Sequence, residues 1–349
     1  MSPQRPQRPQ RPQSPQTPQR PPSPQTPQRP HDLAALARAA LAPGAPAAAA
    51  ARGRDAIDAL ARRVFGEPDT GSTSDAAAVY HGLLWDLHAD PDHRTYALRW
   101  WLASAGYAVE EAAIPAPPLP APLAPADFAQ RIRDEQSALS GLAHPMSQHL
   151  FAGEPTRREF EVYLRHHWHR SRLFFRELTE LSLGRPLAEA SVLFRNLYDE
   201  GGGEDPAGAH PFLLQRLLRH LGLPCGFADR PELPEAQAYL NNRIRCARAQ
   251  NPAWGLAVLF SLEYGTPATH GNIYRLLRRF DVPEDACEFH RLHMTADIEH
   301  AEETIGLIAE VVRGADDQAL FLASLRHHRG LGRRYFDAIW REIQGTRAT

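Results

Sequence analysis

His293, Asp297 and His300 stand in the stretch HRLHMTADIEHAEE at a spacing of four and then three. On a helix turning about 100° per residue, steps of four and seven return to within about 40° of the starting direction, so two imidazoles and a carboxylate face one way. Such a stripe is either a solvated polar face or half of a metal site. Three other places carry polar residues that a helical core does not need. In NLYDEGGGEDPAGAH, Glu200 ends a helical run, three glycines break it, and His210 opens the next run, HPFLLQRLLRHLGL. The carboxylate and the imidazole converge if the intervening loop folds back. Glu263 is the one ionisable carboxylate in AWGLAVLFSLEYGTP. A buried, unpaired carboxylate costs several kcal/mol, so it must be paired, protonated or bound to a cation. Finally, YLRHHWHRS places His166, His167 and His169 on one helix.

Each feature alone has a bland explanation: a wetted helix face, a helix-terminal charge, a residue beside an N-cap, or a partner for one of the many arginines. Their recurrence on four predicted helices of an otherwise apolar chain weakens those explanations together. Mixed Glu and His ligation from facing helices is how helical bundles hold two iron or manganese ions. Oxygen and nitrogen donors without thiolate suit either metal, and zinc also fits the ligand types.

The elements that must position these residues read as helices almost throughout. Residues 1–30 form a Pro/Gln/Arg low-complexity tail with five arginines and no acid. Proline at nearly every third position removes amide donors, and little there can be buried, so the tail is expected to be disordered with polyproline II character. Residues 31–112 show helix-period apolar positions, as in GRDAIDALARRVFG and AAAVYHGLLWDLHA. A Pro-rich linker over 113–126 separates this smaller helical region from a larger one over 127–349. The first helices are expected to pack on the larger domain or on another subunit. Helices are predicted over 127–141, 155–183, 186–199, 210–222, 233–249, 252–265, 268–280, 283–312 and 315–344. Strand-like alternation is nearly absent, so the expected architecture is all-α.

At 43% hydrophobic over 349 residues the chain can bury a substantial core, and a net charge of −2 gives no sign of nucleic-acid binding. Every basic residue is arginine. Three scattered cysteines, Cys225, Cys246 and Cys287, point to a reducing cytoplasm and supply no thiolate cluster. No apolar run reaches the roughly 18 residues of a membrane span, and the N-terminus lacks the apolar core of a signal peptide.

In the order and context of these motifs the chain resembles the heme-oxygenase-like diiron oxidases and oxygenases, relatives of the thiaminase-II and pyrroloquinoline-quinone-synthesis folds. The resemblance covers about residues 127–345. It is carried by Glu200 in LYDEGG with His210 after it, by Glu263 on a central helix, and by the H-x3-D-x2-H helix with His293, Asp297 and His300. It implies a heme-oxygenase-like bundle holding two Fe(II) ions, with O2 as cosubstrate. Glu200, Glu263 and Asp297 are then the catalytic carboxylates. His210 and His300 would serve one iron, His293 and Asp297 the other. The resemblance also implies oxidation of a small molecule, by N-oxygenation of an amine or by oxidative C–C cleavage of an amino or fatty acid, in natural-product biosynthesis. An external electron donor and a homodimer are compatible with it. One departure stands out: relatives carry a further Glu on the first core helix, and the corresponding position here is His166. Three alternatives follow: His166 takes the ligand role, Glu177 supplies the carboxylate, or one iron is less well coordinated. The rival readings are a hydrolytic relative, which needs a nucleophilic cysteine and has only Cys287 near the motif helices, and a metal-free or zinc-bound helical scaffold.

Overall fold

A computed structural model describes residues 29–42, 45–66, 73–89 and 96–347. Among these the chain is all-α. Most of the Pro/Gln/Arg tail lies outside the described residues, and its last residue, Pro30, opens the first helix.

Four helices come first: α1 (Pro30–Ala39), α2 (Ala47–Phe65), α3 (Thr73–Ala89) and α4 (Tyr96–Ala113). They bury Leu33, Ile57, Leu60, Tyr80, Leu83, Leu84 and Leu102 in a core of their own. That core is in turn fastened to the rest of the chain. α3 lies against α11 (Pro234–Arg248), where Asn241 Nδ2 donates to the His81 carbonyl at 2.9 Å. The Arg245 guanidinium on α11 lies 2.8 Å from Glu111 and 3.9 Å from Glu110, both at the end of α4.

After an extended Pro-rich segment come α5 (Pro125–Ala138), α6 (Pro145–Ala152), α7 (Arg157–Ser171), α8 (Phe174–Ser182), α9 (Leu187–Glu200) and α10 (His210–His220). Beyond α11 follow α12 (Pro252–Gly265), α13 (Pro267–Arg279), α14 (Glu288–Leu292), α15 (Ala296–Val311) and α16 (Ala315–Arg347). Several of these starts are written in the sequence. Proline in the first turn of α5, α10, α11, α12 and α13 uses a position whose amide has no helical partner. Thr156 and Glu159 close a capping box on α7, with Thr156 N–H donating to Glu159 Oε2 at 2.7 Å.

α12 is the axis of the larger bundle, packed against α11, α15 and α16. Its residues from Ala253 to Ser261 are all buried, so it needs no polar face. Two expected helices are each divided. The segment predicted over 155–183 breaks at Arg172 and Leu173 into α7 and α8. The segment predicted over 283–312 becomes a short 3-10 turn, α14, a three-residue break at 293–295, and α15. The second break passes directly through the quoted stripe.

Candidate metal centre

α9 delivers Glu200 as its last residue. The chain then turns on Gly202, whose φ of +91° is left-handed and whose Cβ, if present, would stand 2.3 Å from the Asp205 carbonyl oxygen. No other residue type fits that turn. It returns the chain so that His210, opening α10, sets Nδ1 3.0 Å from Glu200 Oε1. His293, at the break between α14 and α15, brings Nε2 to 3.5 Å from the same oxygen. A second group forms beside the first. Glu263 comes from the last turn of α12, and Asp297 and His300 from the start of α15. His300 Nδ1 lies 3.8 Å from Glu263 Oε2. The donor atoms within each group of three lie within 4.8 Å of one another. His293 Nε2 and Asp297 Oδ1, 4.0 Å apart, connect the two groups. All six residues are between 2% and 6% exposed.

The stripe therefore does not sit on one continuous helix. The break turns His293 towards Glu200 and His210, while Asp297 and His300 remain together on α15. This corrects the expected partition of ligands: His293 belongs with His210, and His300 with Asp297.

Four of the six residues have one polar atom tied to the surrounding protein and the other facing the group. His293 Nδ1–H donates to the Phe289 carbonyl at 2.7 Å, which puts the lone pair on Nε2. His300 Nε2 lies 3.1 Å from Asp199 Oδ2, which leaves Nδ1 as the free acceptor. Asp297 Oδ2 accepts from the Thr266 hydroxyl at 2.6 Å, and Glu263 Oε1 from Asn196 Nδ2 at 2.6 Å. Glu200 Oε1, His210 Nδ1 and His300 Nδ1 are buried without a well-formed hydrogen bond. Buried polar atoms are ordinarily satisfied, and ligands are ordinarily oriented by such outer hydrogen bonds, so the inward-facing atoms form a donor set that could hold a cation.

The electrostatics agree. Burial pushes the Glu263 carboxyl well above its ordinary range, and the charges of Asp297 and Glu200 push it further. Burial raises Asp297 as well. Glu200 goes the other way: burial opposes it, but the imidazoles of His210 and His293, 3.0 and 3.5 Å away, hold its carboxyl well down. His293 is raised to about 9, the charges of Asp297 and Glu200 outweighing burial. Three carboxylates crowded out of water thus leave two of themselves short of positive charge, a deficit that divalent cations relieve.

His166 is not brought to this centre. It is buried, but its Nε2 lies 2.8 Å from Glu342 Oε2 and its Nδ1 3.1 Å from the Tyr335 hydroxyl. Glu177 is paired with the buried Arg243. Neither fills the place of the absent glutamate. Glu263 has no arginine partner among the described residues, which removes the bland explanation for it. The imidazole of α7 that does reach the site is that of His167, one position beyond His166 and about 100° round the helix. It lines the cavity over the centre, which five of the six residues reach and His300 does not, together with Arg170, Tyr239 and His270. That cavity has a volume of about 80 Å³.

Residues 161–329 match the model of a family described as iron-containing redox enzymes, and residues 19–113 match haem-oxygenase-associated N-terminal helices. No curated protein matches the chain. Among solved structures, a domain of unknown function with a heme oxygenase-like fold from Shewanella denitrificans OS217 aligns with a TM-score of 0.52 at 17% identity. That alignment covers 64% of this chain and 94% of the other. A TenA homologue from P. horikoshii OT3 aligns at 18% identity and a TM-score of 0.44, over 63% of this chain and 99% of that one. The segment that carries all six converging residues is thus the one that matches the iron-containing redox enzyme family, and the bundle that positions them has the heme oxygenase-like fold.

Proposed function

We propose that the protein is a non-heme diiron oxidase or oxygenase acting on a small molecule. The observation that carries this reading is the pair of adjoining buried groups, Glu200 with His210 and His293, and Glu263 with Asp297 and His300. Three carboxylates and three imidazoles suit iron or manganese in a bundle, and they would offset most of the charge of two divalent ions. Two Fe(II) ions held there would supply electrons for reducing dioxygen.

The chain's own residues do the rest. Phe289, its ring tilted 46° to that of His293 with 4.2 Å between the centroids, keeps an apolar wall against that residue. The bonds from Asn196, Thr266, Asp199 and the Phe289 carbonyl fix the ligand orientations before any metal arrives. By family likeness the reaction is N-oxygenation of an amine or oxidative C–C cleavage of an amino or fatty acid, serving natural-product biosynthesis.

The test is anaerobic loading of the full chain with Fe(II), followed by metal analysis and an O2-uptake trace. Close to two irons per chain and metal-dependent O2 consumption are expected, with Asp297→Ala losing at least one iron. Stoichiometric zinc, or no metal, would instead support a helical scaffold.

A further inference from the structure

Besides the candidate ligands, seven polar side chains line the cavity over the centre. Six of them are committed to the protein. Arg243 holds Glu177 and donates to the Arg170 carbonyl at 2.7 Å. Arg170 donates to the Tyr163 hydroxyl at 3.0 Å and to His167 Nδ1 at 2.9 Å. On its other side His167 sets Nε2 3.4 Å from Ser171 Oγ. Thr266 donates to Asp297, and His270 Nδ1 lies 3.0 Å from His290 Nδ1. The seventh is Tyr239 on α11. It is only 6% exposed, yet its hydroxyl makes no hydrogen bond among the described residues. Buried phenols ordinarily find a partner.

The ring that carries this hydroxyl is held on several sides. It stacks on His328 with 4.7 Å between centroids and an interplanar angle of 30°, and Tyr335 lies 5.8 Å away. The Arg243 guanidinium carbon stands 5.7 Å from its centroid. α16 approaches through Gly332, where a Cβ would come to 3.4 Å from Tyr239 Cε2. The hydroxyl is therefore set in place before anything enters the cavity. A phenol both donates and accepts, whereas the guanidiniums that share the cavity, of Arg170 and Arg243, only donate. Neither can take the phenolic proton, which leaves it for a molecule inside. A volume of about 80 Å³ has room for roughly six water-sized groups, so a molecule that fills it touches Tyr239 and the ligand residues together.

We propose that Tyr239 is a catalytic residue whose hydroxyl donates a hydrogen bond to the small molecule bound on the open side of the centre. It rests on the oxidase reading for the presence of iron. A donor fixed in advance and aimed at an atom that gains negative charge stabilises that charge without reorganising, which is the service a buried, rigid and otherwise unused phenol can give.

Anaerobic infrared spectroscopy of the full chain, loaded with Fe(II) and exposed to nitric oxide, tests this. A hydrogen bond to the oxygen of nitric oxide weakens its N–O bond, so the wild-type stretch should shift when H2O is exchanged for D2O. Tyr239→Phe should move the band to higher frequency, remove the D2O shift, and release nitric oxide about two- to tenfold faster, the worth of one hydrogen bond. Iron content and melting temperature should stay at wild-type values, because the hydroxyl bonds to nothing in the protein. Tyr335→Phe removes a neighbouring hydroxyl that is already bonded to His166 and should leave the band in place. A band that is the same in wild type and Tyr239→Phe overturns the proposal, as does a shift that Tyr335→Phe reproduces. Loss of iron from Tyr239→Phe would make the residue structural and overturns it too, and so does a wild-type protein that takes up iron without binding nitric oxide. If Tyr239→Phe fails to fold, the D2O shift of the wild type decides, and its absence overturns the proposal. A wild-type chain that takes up no iron removes the oxidase reading and this role with it, an outcome that metal analysis separates from all the others.

Discussion

Asp199 and His300 meet across 101 residues of chain, with Oδ2 3.1 Å from the imidazole Nε2. Asp199 immediately precedes Glu200, so the last two residues of α9 serve both halves of the centre. Glu200 faces one group, and Asp199 fixes the ring orientation and tautomer in the other.

Asp199→Ala should therefore weaken iron binding by about 10–100-fold, the usual effect of losing a partner that orients a ligand. Its side chain is 53% exposed, so the melting temperature of the iron-free protein should barely move. Iron titration against a competing chelator reads the first quantity. Unchanged affinity would reduce the contact to a surface ion pair.

Glu263→Leu should separate stability from function. In the iron-free protein the wild-type carboxyl is driven towards its neutral form, and leucine replaces it at similar volume. The loss is the bond from Asn196, whose amide then lacks its acceptor. That loss roughly offsets the relief of a desolvated acid, so the iron-free variant should lie within about 1 kcal/mol of wild type. Iron uptake and O2 consumption should collapse. Destabilisation by several kcal/mol with iron binding intact would make Glu263 a structural group.

His166→Ala should do the reverse. It leaves Glu342 and Tyr335 without their imidazole and should cost about 1–3 kcal/mol. Two irons should still be bound. Chemical denaturation together with metal analysis measures both, and a lost iron would return His166 to the ligand set.

Glu110 gives the pH dependence. It is 3% exposed; burial raises its carboxyl, but the charge of Arg245 and the hydrogen bond from His327 win and hold it below the ordinary value of about 4.5. A carboxylate depressed in the folded state stabilises above its unfolded pKa, and that stabilisation is lost as pH falls through the folded one. Glu110→Gln should thus cost about 3 kcal/mol near neutrality, since Arg245 loses a buried partner. The gap to wild type should narrow below pH about 4.5 in an acid series of melts. A gap that stays constant from neutrality into acid would sink this assignment.

The identity and order of the six residues were legible because each polar side chain interrupts a run that otherwise has only apolar reasons to exist. The grouping was not. It depends on the break at 293–295, where HRLHMTAD contains neither glycine nor proline, and Thr295 is the one hint that a new helix begins. His166 was favoured over His167 by a single position, an offset that decides which face of α7 a ring occupies.

The Gly202 turn has a consequence for how the centre assembles. Glu200 and His210 are joined by a short loop, whose closure costs little entropy and needs no distant element in place. Glu263 meets Asp297 and His300 only after α12 and α15 have docked. One half-site is therefore nearly complete as soon as α9 and α10 fold back on each other, while the other waits for the whole bundle. Metal arriving during folding would find the halves ready at different times. The first ion captured would act as a temporary staple, shortening the search that the second half has yet to finish.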